Sequence, residues 1–153
     1  RGSVIPLFRR LASEGAPLPI TDQRMTRFWI TLPQAVDFVV SCFEDMSGGE
    51  LYVPRIPSMR VTDLAEAVAP GAPIVEIGIR PGEKLHEEMI STEDSRRAVR
   101  RDDRYLVLPT LAEWGFTNTW GDPVADGFSY TSETNDLWLD VPELVAMLDE
   151  LGL

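Results

Sequence analysis

Arg80-Pro81-Gly82-Glu83 places one guanidinium and one carboxylate on either side of a rigid corner. Proline fixes its own φ and biases the preceding residue toward extended backbone, and glycine permits an abrupt change of direction. Arg80 and Glu83 therefore leave one well-defined place. A guanidinium offers a planar fork to phosphate, and a carboxylate can accept both hydroxyls of a ribose diol. The pair can hold a nucleoside diphosphate across its ribose. An Arg–Glu ion pair at a helix start, with Glu83 complementing the helix dipole, accounts for the same residues.

Arg24 and Arg27, in RMTRFWITL, pose a similar choice. Three apart in a strand they face opposite sides, so only one can enter a site. Arg27 directly precedes Phe28-Trp29-Ile30, and a guanidinium in apolar surroundings calls for an anion. That anion is either a ligand or one of the 25 acidic side chains.

His86 lies among Glu83, Glu87 and Glu88, but it is the single histidine and no HExxH pattern is present. It reads as a solvated helix residue rather than a metal ligand, and its loss should leave binding almost unchanged. Trp114, Phe116 and Trp120 occupy a loop, and they read as clamps onto the core in preference to base-stacking groups. Asp136 and Asp140 are spaced for a helix start, not for paired acid/base work. No Gly-rich dinucleotide fingerprint occurs. Tyr52, Tyr105 and Tyr130 have no lysine four residues on, since Lys84 is the only lysine. The chain carries binding residues without a catalyst.

The elements that position these residues follow from spacing. Val4, Leu7, Phe8 and Leu11 recur at helical intervals over Ser3–Glu14, ahead of Gly15. APLPITD turns into a short extended segment, and RMTRFWI contains strand formers. Thr31 and Gln34 form a capping box opening an amphipathic helix with Val36, Val39, Val40, Phe43 and Met46, closed by Gly48-Gly49. ELYVP, PIVEIGI and YLVLP read as strands. Thr62 reads as the cap of a short helix, and Glu83–Met89 as another helix. STEDSRRAVRRDDR reads as a solvated loop or helix face, and residues 110–133 as irregular loop. Asp140 and Glu143 cap a terminal helix. Alternating strands and helices predict an α/β chain. So few short strands make a poor sheet alone, which suggests a piece that completes a larger one.

The 153 residues suit one domain. A net charge of −11 disfavours nucleic acid and anionic membrane as general partners, and no apolar run is long enough to span a bilayer. One cysteine, Cys42, rules out an internal disulfide and fits a reducing cytoplasm.

Five collinear blocks cover essentially the whole chain: RGSVIPLFRRL, PITDQRMTRFWITLPQAVDFV, GGELYVPRIPSMRVTDLAEAVAP, IGIRPGEKLHEEMIS and FSYTSETNDLWLDVPELVAML. Together they resemble the C-terminal half of UDP-N-acetylglucosamine 4,6-dehydratases of the C5-inverting type, which are extended short-chain dehydrogenases/reductases of surface-polysaccharide and pseudaminic acid synthesis. The resemblance implies a nucleotide-sugar-binding portion spanning residues 1–153, with strands and helices that complete a Rossmann sheet. ELYVP would be one of those strands. It further implies that Arg27 and Arg80 neutralise the UDP diphosphate and that Glu83 accepts from the ribose. Thr26 would stand beside them, and Ser3, Val4 and Leu18 would pass near the phosphates and uracil.

NADP belongs to the N-terminal Rossmann half, and no cofactor is expected on this chain alone. Hydride leaves sugar C4, water is lost across C5–C6, and hydride returns at C6. The residues for those steps lie upstream in the family, so these residues alone are expected to be inactive. A homo-oligomer is expected of the complete enzyme. A stand-alone UDP-sugar-binding module and the C-terminal half of a nucleotide-sugar epimerase are the alternatives.

Overall fold

The computed structural model describes residues 4–110 and 121–152. Helix α1 (Val4–Ser13) forms as the spacing predicts, but it buries Ile5 with Phe8 and leaves Val4 and Leu7 exposed. Strand β1 (Leu18–Ile20) follows, then β2 (Thr26–Phe28) and helix α2 (Leu32–Asp45). Thr31 caps α2 with both halves of the capping box formed. Strands β3 (Leu51–Pro54) and β4 (Ser58–Arg60) lead into α3 (Val61–Val68), β5 (Ile74–Glu76) and β6 (Glu88–Ile90). A short 3-10 turn, Asp94–Arg97, precedes β7 (Ala98–Arg100) and β8 (Arg104–Val107). The chain ends with β9 (Asp122–Pro123), β10 (Tyr130–Thr131) and α4 (Val141–Glu150), capped by Asp140 and Glu143 as expected.

Strand pairing divides into small sheets. β1 runs parallel to β5, with Leu18 opposite Ile74 and α3 in the crossover between them. β2 is antiparallel to β4, with Arg27 opposite Met59. The order β3-β8-β7-β9 forms an antiparallel sheet, and β6 pairs with β10. ELYVP therefore finds an antiparallel partner, β8, within the chain.

Three apolar clusters hold these pieces. Phe8, Leu18, Ile20 and Val61 join α1, β1 and α3. Tyr105, Tyr130 and Ile90 join the larger sheet to β6 and β10. Met59, Leu64, Leu144 and Leu148 join β4, α3 and α4.

Several sequence expectations need correction. Residues 83–89 form no helix: the carbonyls of Lys84 and Leu85 accept from the Arg27 guanidinium. Leu85 O also takes the Thr26 N–H at 3.2 Å, so tertiary bonds replace the helical ones. Thr62 lies inside α3, whose N-cap is Arg60 with no side-chain cap bond. The charged run from Ser91 to Arg104 contains strand β7 and the first residue of β8, and buries Ala98, Val99 and Arg104. Trp114, Phe116 and Trp120 lie outside the described residues.

Candidate functional site

The corner at residue 80 is a hydrogen-bonded β-turn. Glu83 N donates to Arg80 O at 3.0 Å, and Gly82 at φ +83° occupies the third position, the pattern of a type II turn with proline second. The Glu83 carboxylate folds back on the same turn, accepting from Arg80 N at 3.4 Å and from Thr21 Oγ1 at 3.2 Å. No helix follows, so the helix dipole plays no part in placing Glu83. Arg80 is exposed, and among the described residues its guanidinium has no hydrogen-bond or ion-pair partner.

Arg27 is held very differently. Nη1 donates to Thr26 O at 2.7 Å and Leu85 O at 3.1 Å, and Nη2 to Lys84 O at 3.1 Å. Glu83 and Glu87 stand 3.8 and 3.7 Å away, in ion-pair range but beyond a good hydrogen bond. Three carbonyls fix the plane of the fork, and two of its five donors remain unbonded among the described residues. Arg24 lies in the turn before β2, not in the strand as the spacing argument assumed, and goes elsewhere. It clasps Asp22 at 2.7 and 3.0 Å, which holds that carboxyl down to about 2.

A cavity of about 200 Å³ brings these groups together, lined by Val4, Phe8, Thr21, Arg27, Met59 and Glu83. Val4 and Arg27 also line an adjoining cleft of about 530 Å³ that passes Trp29 and Leu32. Of the residues singled out in the sequence, Arg27, Glu83 and Val4 converge here, and Arg80 stands beside them on the turn. Two do not present side chains to it. Leu18 is fully buried in the core, and Thr26, only 4% exposed, turns its hydroxyl inward. Ser3 lies outside the described residues.

The sequence reading missed a polar network behind this wall. Thr26 Oγ1 lies 2.8 Å from His86 Nδ1 and 2.7 Å from Ser132 Oγ. Ser132 Oγ also accepts from Glu87 N, and His86 Nε2 faces Glu133 at 3.5 Å. His86 is thus partly buried and partnered, not a solvated helix residue. Its available signal was the hydroxyl-rich YTSETND segment, whose Asn135 donates to Ile56 O, Ser58 Oγ and Leu137 O. Asp136 pairs with Arg55 at 3.0 Å, and Asp140 caps α4, so neither belongs to an acid/base pair.

A dinucleotide needs a Gly-rich turn between a strand and the N-terminus of a helix. Helices α2, α3 and α4 open instead with Thr31-Leu32-Pro33, Arg60-Val61 and Asp140-Val141-Pro142. The described residues do not form such a cradle. They also contain no cluster of His, Cys, Asp and Glu suited to a metal ion, and no helix long and apolar enough to cross a membrane.

A family model described as polysaccharide biosynthesis protein matches residues 1–109. The chain is 49% identical to a UDP-N-acetylglucosamine 4,6-dehydratase (inverting) from Campylobacter jejuni, over 97% of its own length and 47% of that protein's. A UDP-glucose 4-epimerase from Rickettsia canadensis is 37% identical over 70% of this chain and 33% of its own. Among solved structures, the X-ray structure of Pen from Bacillus thuringiensis superposes with a TM-score of 0.81 at 28% identity, over 99% of this chain and 45% of that one. The chain spans about half the length of the curated dehydratases it matches.

Proposed function

The chain belongs to the polysaccharide biosynthesis protein family, with the mixed α/β fold of the C-terminal part of an extended short-chain dehydrogenase/reductase, and on that premise we propose that it forms the UDP-sugar-binding portion of a UDP-N-acetylglucosamine 4,6-dehydratase. The observation that carries this reading is the meeting of Arg27 and Glu83 at one cavity, with the unpartnered Arg80 guanidinium on the adjoining turn. The wider similarity to the dehydratase, 97% of the chain against 70% for the epimerase, favours the former chemistry.

Within this reading the three side chains divide the work. Arg80, exposed and uncommitted, closes on the diphosphate as a bidentate fork. Arg27 is pre-aimed by its three carbonyl partners and lends its remaining donors to the same anion. Glu83 accepts from the ribose diol, and the Arg27 charge 3.8 Å away offsets its repulsion from the phosphates. This local positive pair is what lets a chain of net charge −11 bind a dianion.

NADP, the hydride carrier of such an enzyme, would be held by its Rossmann portion, in the half of the relatives' length that this chain does not match. That portion and a second copy of the enzyme are the partners. A nucleotide-sugar substrate and a lone Cys42 thiol fit the cytoplasm.

Isothermal titration with UDP-N-acetylglucosamine tests the reading. Arg80→Ala should weaken binding by about 1.5–3 kcal/mol, the size of a charge-assisted contact. Saturable binding that is indifferent to Arg80→Ala would sink the assignment.

A further inference from the structure

Three segments far apart in sequence meet behind Arg27. Strand β2 supplies Thr26, the stretch after the turn supplies His86 and Glu87, and the segment after β10 supplies Ser132. One assignment of the two hydroxyls and the histidine tautomer leaves no donor idle. Glu87 N–H donates to Ser132 Oγ at 2.9 Å, and Ser132 O–H donates to Thr26 Oγ1 at 2.7 Å. Thr26 O–H then donates to His86 Nδ1 at 2.8 Å, leaving the Nε2 proton toward Glu133 at 3.5 Å. Each hydroxyl gives one bond and takes one, so the chain runs head to tail without an idle donor. Thr26 and Ser132 are both essentially inaccessible to solvent, where a broken link would leave an unpaired polar group.

The links sit where they fix the site. Thr26 O and the carbonyls of Lys84 and Leu85 are the three acceptors that orient Arg27. His86 and Glu87 are the next two residues along. Glu87 is fastened a second time by Ser132 N, which donates to Glu87 O at 2.8 Å, and a third by Phe28 N, which donates to its carboxylate at 3.0 Å. Sliding residues 84–87 relative to β2 would pull the carbonyls off the guanidinium and move Glu83 with them.

We infer that Thr26, His86 and Ser132 form a latch that sets the register of the Arg80–Glu87 segment against β2, and so pre-orients Arg27 and Glu83 for the UDP diphosphate and ribose. The inference rests on the UDP-site reading above. All three act as positioning residues, since none of their polar groups faces the cavity. Ser132 lies beyond residues 1–109, so the latch extends the site into a part of the chain that the family model does not match.

The test uses UDP as probe, the full chain, and paired variants that remove or keep one hydrogen bond. Thr26→Val keeps the strand-favouring shape without the hydroxyl, and Thr26→Ser keeps the hydroxyl. His86→Asn retains a polar atom at the Nδ1 position, and His86→Gln at the Nε2 position only. Thr26→Val and His86→Gln should each raise the UDP dissociation constant roughly five- to tenfold through lost preorganisation, with Thr26→Ser and His86→Asn within about twofold of the parent. The more accessible His86 pair decides the matter if Thr26→Val does not fold. Arg80→Ala serves as the reference. If it weakens UDP binding while His86→Gln and any folded Thr26→Val bind like the parent, the latch is refuted and the site stands. Equal loss in both members of each pair also refutes it, since only general disruption would then be at work. If Arg80→Ala has no effect, the UDP site itself falls and the latch with it.

Discussion

Helices α2 and α4 begin in the same way and end up in opposite circumstances. Each opens with a complete capping box and a proline in its first turn: Thr31 with Gln34 in α2, and Asp140 with Glu143 in α4. Each carries an apolar stripe. Yet α4 sinks Leu144 and Leu148 beneath α3 and β4, whereas α2 buries no residue and leaves Leu32 77% and Phe43 69% exposed. What holds α2 is polar. Arg104 reaches Ser41 at 3.0 Å and spreads over the Phe38 ring, and Arg101 reaches Asp45 at 3.0 Å. Caps and periodicity decide that a helix exists and where it starts; they are silent about what its face meets.

The contrast can be broken in three places. The largest expected effect is Leu144→Ala, which should cost about 2–5 kcal/mol as a fully buried truncation, against under about 0.5 kcal/mol for Phe43→Ala. Denaturant unfolding of the two variants compares them directly, and similar costs would mean that the α2 face is covered in the working protein. Next come the caps. Thr31→Ala and Asp140→Ala should each cost about 1 kcal/mol, because capping is local and independent of burial. A silent Thr31→Ala would show α2 poorly formed to begin with.

The smallest effect concerns the polar tether. Arg104 donates to Asp103 at 2.7 and 2.8 Å, and those bonds hold the Asp103 carboxyl below the usual range. A carboxylate lowered on folding stabilises the protein above its unfolded value of about 4, and that contribution fades as pH falls through the lower folded value. Asp103→Asn should therefore flatten the acid limb of a melting-temperature profile and leave its shape near neutrality unchanged. An unaltered acid limb would remove Asp103 from the account.

Much of this was legible in residues whose signals are local. Thr31, Asp140 and the helical spacing of α1 act within one turn of backbone, and the structure has all three helices, although α1 buries Ile5 with Phe8 where the sequence spacing points to Val4 and Leu7. Pro81-Gly82 likewise announced a corner. Glu83–Met89 was misread because its helix-forming side chains are overruled by distant ones: Arg27 takes the carbonyls a helix needs. β7 hid inside a charged run, and β8 begins one residue ahead of the YLVLP strand read from the sequence because Arg104 buries its stem while pairing its head with Asp103. His86 and Ser132 were invisible as partners, since only folding brings residues 45 and 60 positions apart into contact with Glu87 and Thr26.

The link between Thr26 and Ser132, separated by 106 positions, also orders events at the ribosome. At roughly 5–20 residues per second, Ser132 is made about 5–20 s after Thr26. For roughly the second half of that interval the Arg80 turn has been translated but lacks its Ser132 link. A nascent chain arrested before Ser132 should accordingly capture UDP more weakly than the released protein, so the binding site is a late product of synthesis even though its charged residues are made early.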